Sequence, residues 1–419
     1  MAAISFSGVC RLAPLAKETD RLKTLEVKSF SSGWCNQTLK FNLNFGTSST
    51  LTEIRFGYWG DPSGNVNEDK NTLYVRQFPT AYGETTGAAP ENAQIAYKDR
   101  FNAETIATVT KDSKYLVDLN EVNRYAAKTV CDKVLAGEGI SDEDSAKYNI
   151  YSPDDAKELL DTINKKYREF LSAGDFLNAV RGVLMNNRYT NRKFKVRGDY
   201  DIRYGEGKGQ FYKTFVLREL VLLSEDTTDE ENLTLDFNFY YGKDAFDDSD
   251  YKDSGKATIA GYVRYYDSQY KSEANKGRVA CPINVAVRLD EIGTQRLKKR
   301  FMVEKEGQYR VVRLQCNYIN GAEKVPIELK DLSEDDQEDI KCGLITLEQY
   351  RKEHGGNIYG DRITEIRYKA FNTTERFTFR DTDYEDDDFL PPTHTAQETA
   401  KAVVSSAISN ADDDDIFDI

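Results

Sequence analysis

Residues 181–219, RGVLMNNRYTNRKFKVRGDYDIRYGEGKGQFYKTFVLRE, contain the pattern that decides the expected fold. Along residues 194–203, Phe, Val, Gly, Tyr and Ile alternate with Lys, Arg and Asp. This period of two is typical of a β-strand that buries one face. The glycines of residues 205–209 can take the positive φ angles of a tight turn, and residues 210–223 are rich in aromatic and β-branched types. The stretch is therefore predicted to form a β-hairpin.

The hairpin stretch is also basic and aromatic. It holds ten Lys or Arg residues against four acids, a local charge of +6, with seven aromatic residues between them, while the protein carries a net charge of -14. Because cations follow phosphates and bases stack on flat rings, this pattern suits a groove for a single-stranded nucleic acid. The candidate binding residues are Arg188, Arg192, Lys193, Lys195, Arg197, Tyr200, Arg203, Tyr204, Tyr212 and Lys213. The alternative is an ordinary hairpin with a solvated cationic face.

Length and composition indicate a globular protein of two or three domains, with 419 residues, 39% hydrophobic and 31% charged. No apolar run of about 18 residues occurs, so no membrane-spanning helix is expected, and the first twelve residues do not resemble a secretory signal. The six cysteines lie far apart and there are only two histidines. We therefore expect a reducing, cytoplasmic location and no metal or other cofactor.

The acidic residues are concentrated at the end of the chain. Residues 381–419 carry 12 acids and one lysine, whereas residues 1–380 hold 56 basic and 59 acidic residues. The body is nearly neutral, so the low overall isoelectric point does not exclude a polyanionic partner. Residues 381–419 are predicted to form a disordered acidic tail.

The order of predicted elements divides the body in two. Residues 3–60 are strand-rich, an insertion at about residues 61–173 begins with a long loop (61–94) and continues as helices, and a short helix at 175–185 leads into the hairpin. Residues 224–380 are again strand-rich. Trp34 and Trp59 lie beside glycines at strand ends and are candidate stacking platforms, although Trp is more often a core residue. Tyr262, Arg264 and Tyr266 are candidates in the second part, with core tyrosines as the alternative.

This order of elements resembles the OB-fold, a five-stranded barrel with a helix between its third and fourth strands. The resemblance covers residues 1–223 and implies an OB-like domain that carries the insertion. A second β-rich domain, for which an OB-like fold is one interpretation, follows at residues 224–380. The expected class is mainly β with inserted helices.

The end of the chain has an acidic and apolar tip. Its residues are Asp412, Asp413, Asp414, Asp415, Ile416, Phe417 and Ile419. The tip resembles that of bacterial single-stranded DNA-binding proteins, although no proline precedes the Phe and Ile is terminal. This resemblance implies that the tip recruits replication and recombination proteins.

Together these features predict a non-enzymatic, sequence-independent single-stranded DNA-binding protein of replication, recombination or repair. The tail and the insertion favour a bacteriophage protein in the host cytoplasm. No phosphate-binding loop, dinucleotide motif or Ser-His-Asp arrangement occurs. The alternatives are a β-rich structural or adaptor protein, for example of a virion, and an enzyme with an unrecognised carboxylate site.

Overall fold

The protein is mainly β with inserted helices, which confirms the predicted class. The computed structural model describes residues 3–15, 17–19, 23–81, 84–85, 87–205, 208–270, 277–329, 332–353, 357–372 and 379–390. Within these ranges, fifteen strands belong to one large sheet, and two further strand pairs form small sheets of their own. None of the helices in these ranges has the length and apolarity needed to cross a membrane.

The first part of the chain contains twelve of the strands in the described ranges. Four come first: β1 (Ile4–Ala13), β2 (Leu25–Ser29), β3 (Trp34–Phe45) and β4 (Ser48–Trp59). The insertion follows: β5 (Thr72–Gln77), β6 (Thr80–Ala81), β7 (Glu84–Thr85), β8 (Glu91–Ala96), α1 (Ala103–Thr108), β9 (Tyr115–Asp118), α2 (Arg124–Leu135), α3 (Asp142–Tyr148), α4 (Pro153–Lys166) and β10 (Tyr167–Phe170). The last three elements are α5 (Ala173–Leu184), β11 (Lys193–Gly205) and β12 (Gln210–Leu222).

The predicted hairpin is confirmed as β11 and β12. The two strands pair antiparallel from Phe194 opposite Leu222 to Gly205 opposite Gln210, with a bulge after Arg197. The alternation works as expected, because the apolar residues of β11 point into the core and the charged ones point outward.

Five strands of this part pair in a closed cycle. β1 pairs antiparallel with β3, β3 with β4, β12 with β11, and β11 with β1. The cycle is closed by a short parallel pairing of β4 with β12, where Thr52 lies opposite Phe215. Helix α5 lies between the third and fourth strands of the cycle in sequence, and it buries Phe176, Leu177 and Val180.

The second part of the chain contains the remaining elements. They are β13 (Asn232–Tyr241), β14 (Phe246–Asp247), α6 (Tyr251–Ser254), β15 (Ala257–Tyr266), β16 (Arg278–Val287), α7 (Glu291–Arg300), β17 (Arg310–Pro326), α8 (Glu334–Lys341), α9 (Leu347–Glu353), β18 (Asn357–Phe371) and β19 (Arg380–Asp381).

Five of these strands repeat the pairing order of the first part. β13 contacts β15, β15 pairs with β16, β18 with β17, and β17 with β13, all antiparallel. The third and fifth strands, β16 and β18, again pair in parallel. Helix α7 again follows the third strand. The chain therefore contains two consecutive units with the same strand order and the same helix position.

The two units share one sheet because their first strands, β1 and β13, pair antiparallel over residues 4–9 and 232–237. Gly8 allows this close approach, since a Cβ atom there would lie 2.0 Å from the carbonyl oxygen of Asn232. A single hydrophobic core runs through both units.

The insertion differs in part from its prediction. The helices are confirmed in part: Ser152 caps α4 by accepting a hydrogen bond from the Asp155 N–H, with Pro153 at the first helical position. Residues 167–170, predicted to continue this helix, form strand β10 instead. Residues 61–94, predicted to be a loop, instead contain strand β5 and the start of β8, which pair antiparallel. This pairing was hidden by the many Gly, Pro and Asn residues of the connections. Strand β9 extends the main sheet along the edge of β12.

The start of the acidic tail is ordered, contrary to the prediction of disorder from residue 381. Strand β19 pairs with β17, and Phe389 is buried. The physical reason is that residues 379–390 contain apolar rings that find a partner surface, which composition alone does not reveal. The remaining tail residues, including the tip at residues 412–417 and 419, lie outside the described residues.

Candidate nucleic-acid interface

The aromatic rings of the hairpin strands point mainly inward. Tyr200 is only 6% exposed, and its ring packs 4.5 Å from that of Phe215 and 6.2 Å from that of Tyr318. Burial, followed by the nearby Tyr318 and Cys281, raises the pKa of the Tyr200 phenol. Tyr200 therefore belongs to the core, which corrects its assignment as a stacking residue: it lies on the inward-facing side of the alternating strand.

Two other predicted tyrosines lie near the turn of the hairpin on opposite faces, because Tyr204 is opposite Phe211 and Tyr212 is opposite Arg203. Tyr204 is half-buried and packs against Phe211, with ring centroids 4.9 Å apart. Tyr212 is also half-buried, its ring lies over Gly205, and its hydroxyl accepts a hydrogen bond from Gln210 at 2.9 Å. Both rings are in contact with neighbouring residues, so only part of each ring is accessible to a base.

Most predicted cations of the hairpin are paired with acids. Arg197 lies between Glu219, at 2.8 Å, and Asp112, at 3.1 Å. Arg203 pairs with Asp201 at 3.3 Å. Asp112 comes from the insertion, so an acid distant in sequence reduces the local positive charge counted along the hairpin.

The same pairing with acids occurs at the start of β11. Arg188 and Arg192 both contact Glu121, at 3.0 and 3.6 Å, and Arg192 also pairs with Glu225 at 2.9 Å. The ammonium group of Lys193 donates to the carbonyl oxygen of Asp229. The cationic stretch thus acts mainly as a ladder of ion pairs on the outer face of the sheet. Two other predicted cations on the hairpin, Lys195 and Lys213, have exposed side chains.

The structure brings Trp34 and Trp59 together, although they are far apart in sequence. They lie opposite each other on β3 and β4, with ring centroids 5.4 Å apart in an edge-to-face arrangement. The Trp34 indole N–H donates to the side-chain oxygen of Asn36 at 2.9 Å. Gly57 makes room for the ring, because a Cβ atom there would lie 2.5 Å from it.

A third ring, which sequence reasoning missed, extends this pair. Phe30 continues the register of β2 and β3, since its backbone N–H donates to the carbonyl oxygen of Trp34 at 2.9 Å, and its side chain is 48% exposed. Residues directly opposite each other in a sheet carry their side chains on the same face. Trp34 and Trp59 on β3 and β4, together with Phe30 directly after the end of β2, therefore lie on one face of the sheet, and we call these three residues the aromatic row. The signal in the sequence was the position of Phe30 directly before the Ser-Ser-Gly turn of residues 31–33, which brings it close to Trp34.

The aromatic row lies on the outer, partly exposed face of the sheet. The neighbours on the other face, Cys35 and Tyr58, are at most 1% exposed, whereas Trp34 and Trp59 are half-buried. Ion pairs adjoin the row: Arg55 contacts Glu53 and, at 2.7 Å, Asp201. The surface there is nearly neutral and aromatic, so it suits stacking more than charge attraction.

The predicted residues of the second unit also lie on one face. Tyr262 and Arg264 point outward from β15, with Tyr266, 58% exposed, at the end of the strand. Tyr309, which sequence reasoning missed, lies beside Tyr262 with ring centroids 6.4 Å apart. We call Tyr262, Arg264 and Tyr309 the tyrosine face.

The tyrosine face is covered by the acidic segment 381–390. Phe389 stacks on Tyr309 at 4.0 Å and contacts Tyr262 at 4.8 Å. One terminal guanidinium nitrogen of Arg264 donates to Asp388 at 3.1 Å. Burial, followed by the hydrogen bond to Asp386, raises the pKa of Tyr309 to about 12, so its hydroxyl stays protonated and remains a donor at neutral pH.

Metal chemistry has no support among the described residues, where no group of three or more His, Cys, Asp or Glu side chains is placed to hold an ion. The described cysteines are free thiols, and all but Cys342 are buried. No known family model matches this sequence, and a comparison with curated proteins finds no match.

Proposed function

We propose that this protein is a non-catalytic, sequence-independent single-stranded DNA-binding protein of replication, recombination or repair, built from two OB-like domains. The order of strand pairing supports the fold: each unit has five strands in a cycle, a parallel pairing of the third with the fifth, and a helix after the third. OB-folds bind oligonucleotides on the face of their second and third strands.

The observation that carries the proposal is the position of the aromatic surfaces. Trp34 and Trp59 of the aromatic row lie on the second and third strands of the first cycle, β3 and β4, and Phe30 follows β2, which pairs with β3. Tyr262 and Arg264 lie on β15, the second strand of the second cycle. One ring and one guanidinium of the second unit thus lie on β15, the strand that corresponds to β3, which carries Trp34 in the first unit.

The proposed contact surface differs from the basic hairpin singled out in the sequence. Because most hairpin cations are paired with acids, β11 and β12 mainly support the fold in this proposal. Lys195 and Lys213 are predicted hairpin cations whose exposed side chains a phosphate could reach. The salt dependence of the affinity grows with the number of phosphates that the protein neutralises. Because few hairpin cations are unpaired, we expect the affinity for DNA to fall less steeply with salt than it would for a purely electrostatic groove.

Two further parts of the proposal concern the tail and the location. The tip at residues 412–419 would recruit other proteins of DNA metabolism, as its resemblance to bacterial single-stranded DNA-binding proteins implies. Free cysteine thiols support a reducing compartment such as a bacteriophage host cytoplasm.

A β-rich structural or adaptor protein, such as a virion component, is the second candidate. It is favoured by the ion-pair ladder of the hairpin, exemplified by Arg197 with Glu219 and Asp112, which leaves little net charge for a polyanion. Stoichiometric presence in purified particles without DNA affinity would select this candidate.

Tryptophan fluorescence tests the proposal directly, because the only two tryptophans lie in the aromatic row. Titration with oligo-dT at about 50 mM and about 200 mM salt should quench their emission, with weaker binding at the higher salt. Base stacking on the indoles is the physical cause of the quenching. Unchanged emission together with no gel shift at the lower salt would refute the proposal.

A further inference from the structure

The acidic segment 381–390, which we call the strap, places two kinds of group on the tyrosine face. Its aromatic group is Phe389, which is buried against Tyr262 and Tyr309. Its anionic groups are Asp388, bonded to Arg264, and Asp386, which accepts a hydrogen bond from the Tyr309 hydroxyl at 3.0 Å. A flat ring flanked by anions is also what a nucleotide presents.

Arg264 is incompletely satisfied beneath the strap. Its side chain is 5% exposed, and its guanidinium carbon lies 3.8 Å from the centre of the Tyr384 ring. Among the described residues, Nε and Nη1 of this arginine have no hydrogen-bond partner. Leaving charged donors buried and unpaired is costly. Asp388 gives only one oxygen to Arg264, because its other oxygen accepts a hydrogen bond from the Glu385 backbone N–H at 3.1 Å. The guanidinium is therefore placed to bind an anion that presents two oxygens to it.

A phosphodiester fits this requirement. Its two unbridged oxygens can accept parallel hydrogen bonds from one guanidinium, an arrangement for which arginine is suited. A base attached to such a phosphate could take the place of Phe389 on Tyr309, because any base has a flat face that stacks on an aromatic ring.

We infer that Arg264, Tyr262 and Tyr309 form a phosphodiester- and base-binding site, and that the strap occupies it as an internal substitute for a single strand. The inference rests on the nucleic-acid binding proposed above and adds that the second unit is blocked until the strap leaves. The strap needs to move only locally. Its start stays anchored, because Asp381 lies opposite Arg310 in the β19–β17 pairing and Thr382 bonds to the carbonyl oxygen of Tyr309.

Only the molecules whose tyrosine face is uncovered can bind DNA there. The apparent affinity of this site is therefore its intrinsic affinity multiplied by the fraction of uncovered molecules. If the covered form is favoured by about ten to one, removal of the strap contacts raises affinity about tenfold. The test compares the wild type with the double variant Asp388→Asn, Phe389→Ala. Asp387→Asn is the matched control, because it makes the same charge change in the same segment at an exposed position.

We expect the double variant to bind oligo-dT about tenfold more tightly than the wild type, and the Asp387→Asn control to bind like the wild type. Adding Arg264→Gln to the double variant should abolish the gain. Hydrogen exchange of residues 384–389 in the wild type should speed up when oligo-dT is added.

The outcomes separate this inference from the proposed function. Equal affinities of the wild type, the double variant and the control, with unchanged exchange of the strap, would overturn the inference and leave DNA binding intact. Binding by the double variant but not by the wild type would support a fully blocking strap. Absence of binding by every variant would overturn both.

Discussion

Replacing Trp34 by alanine removes the central ring of the aromatic row and is the most direct test of its role. Stacking of one base on an aromatic side chain contributes about 1–3 kcal/mol, which corresponds to a loss of affinity of about 5- to 150-fold. Trp34 also supports the edge of Trp59 at 5.4 Å. We therefore expect Trp34→Ala to lie near the upper end of this range and Trp59→Ala nearer the lower end.

Because the two rings touch, their effects should not be additive. The double variant should lose less affinity than the product of the two single losses. The fold should persist in each variant, since both indoles lie half-buried on the outer face of the sheet.

The measurement is fluorescence anisotropy of a dye-labelled oligo-dT, because the substitutions remove the intrinsic fluorophores. Tyr151→Ala is the matched control: this tyrosine is an aromatic residue of the insertion, 73% exposed, and outside the row. Thermal unfolding of each variant shows that the fold is retained. If Trp34→Ala binds as tightly as the control while remaining folded, stacking on the row is not the mode of binding.

Three further predictions concern stability. Thr52→Val should raise the free energy of unfolding by about 1 kcal/mol in urea titrations, because the Thr52 hydroxyl is fully buried and has no partner among the described residues. Burial alone would raise the pKa of Glu365, but Arg367 and its other basic neighbours outweigh it and hold that pKa below the ordinary 4.5. The stabilisation is thus complete above about pH 4.5 and is lost as the pH falls through the lowered pKa, so Glu365→Gln should flatten the acid limb of a stability-versus-pH curve; an unchanged limb would contradict the assignment. Arg197→Glu should lower the urea midpoint because it replaces two ion pairs by repulsion, whereas Lys195→Glu should leave it nearly unchanged; equal effects would show that the ladder is not stabilising.

Local sequence patterns explain why much of the fold is predictable. The alternation of apolar and charged residues in β11, and the Ser152 cap and Pro153 of α4, act within one strand or one helix turn. The pairing of β5 with β8 does not follow from the sequence, because its strands are flanked by turn-forming residues and its buried residues Val75 and Ile95 pack against Val109 and Leu171, which are distant in sequence.

The sequence by itself determined the mainly β class, the hairpin, the main helices and the residue types available for binding. The tertiary structure alone decided which of those residues are free to bind. Arg197 meets Asp112 across 85 positions, Trp34 meets Trp59 across a strand pair, and Phe389 covers Tyr309. Local periodicity sets the face of a strand on which a side chain lies. Which acid pairs with a cation, which rings lie side by side and which surface is covered depend on long-range strand pairing, and a local pattern does not specify that pairing.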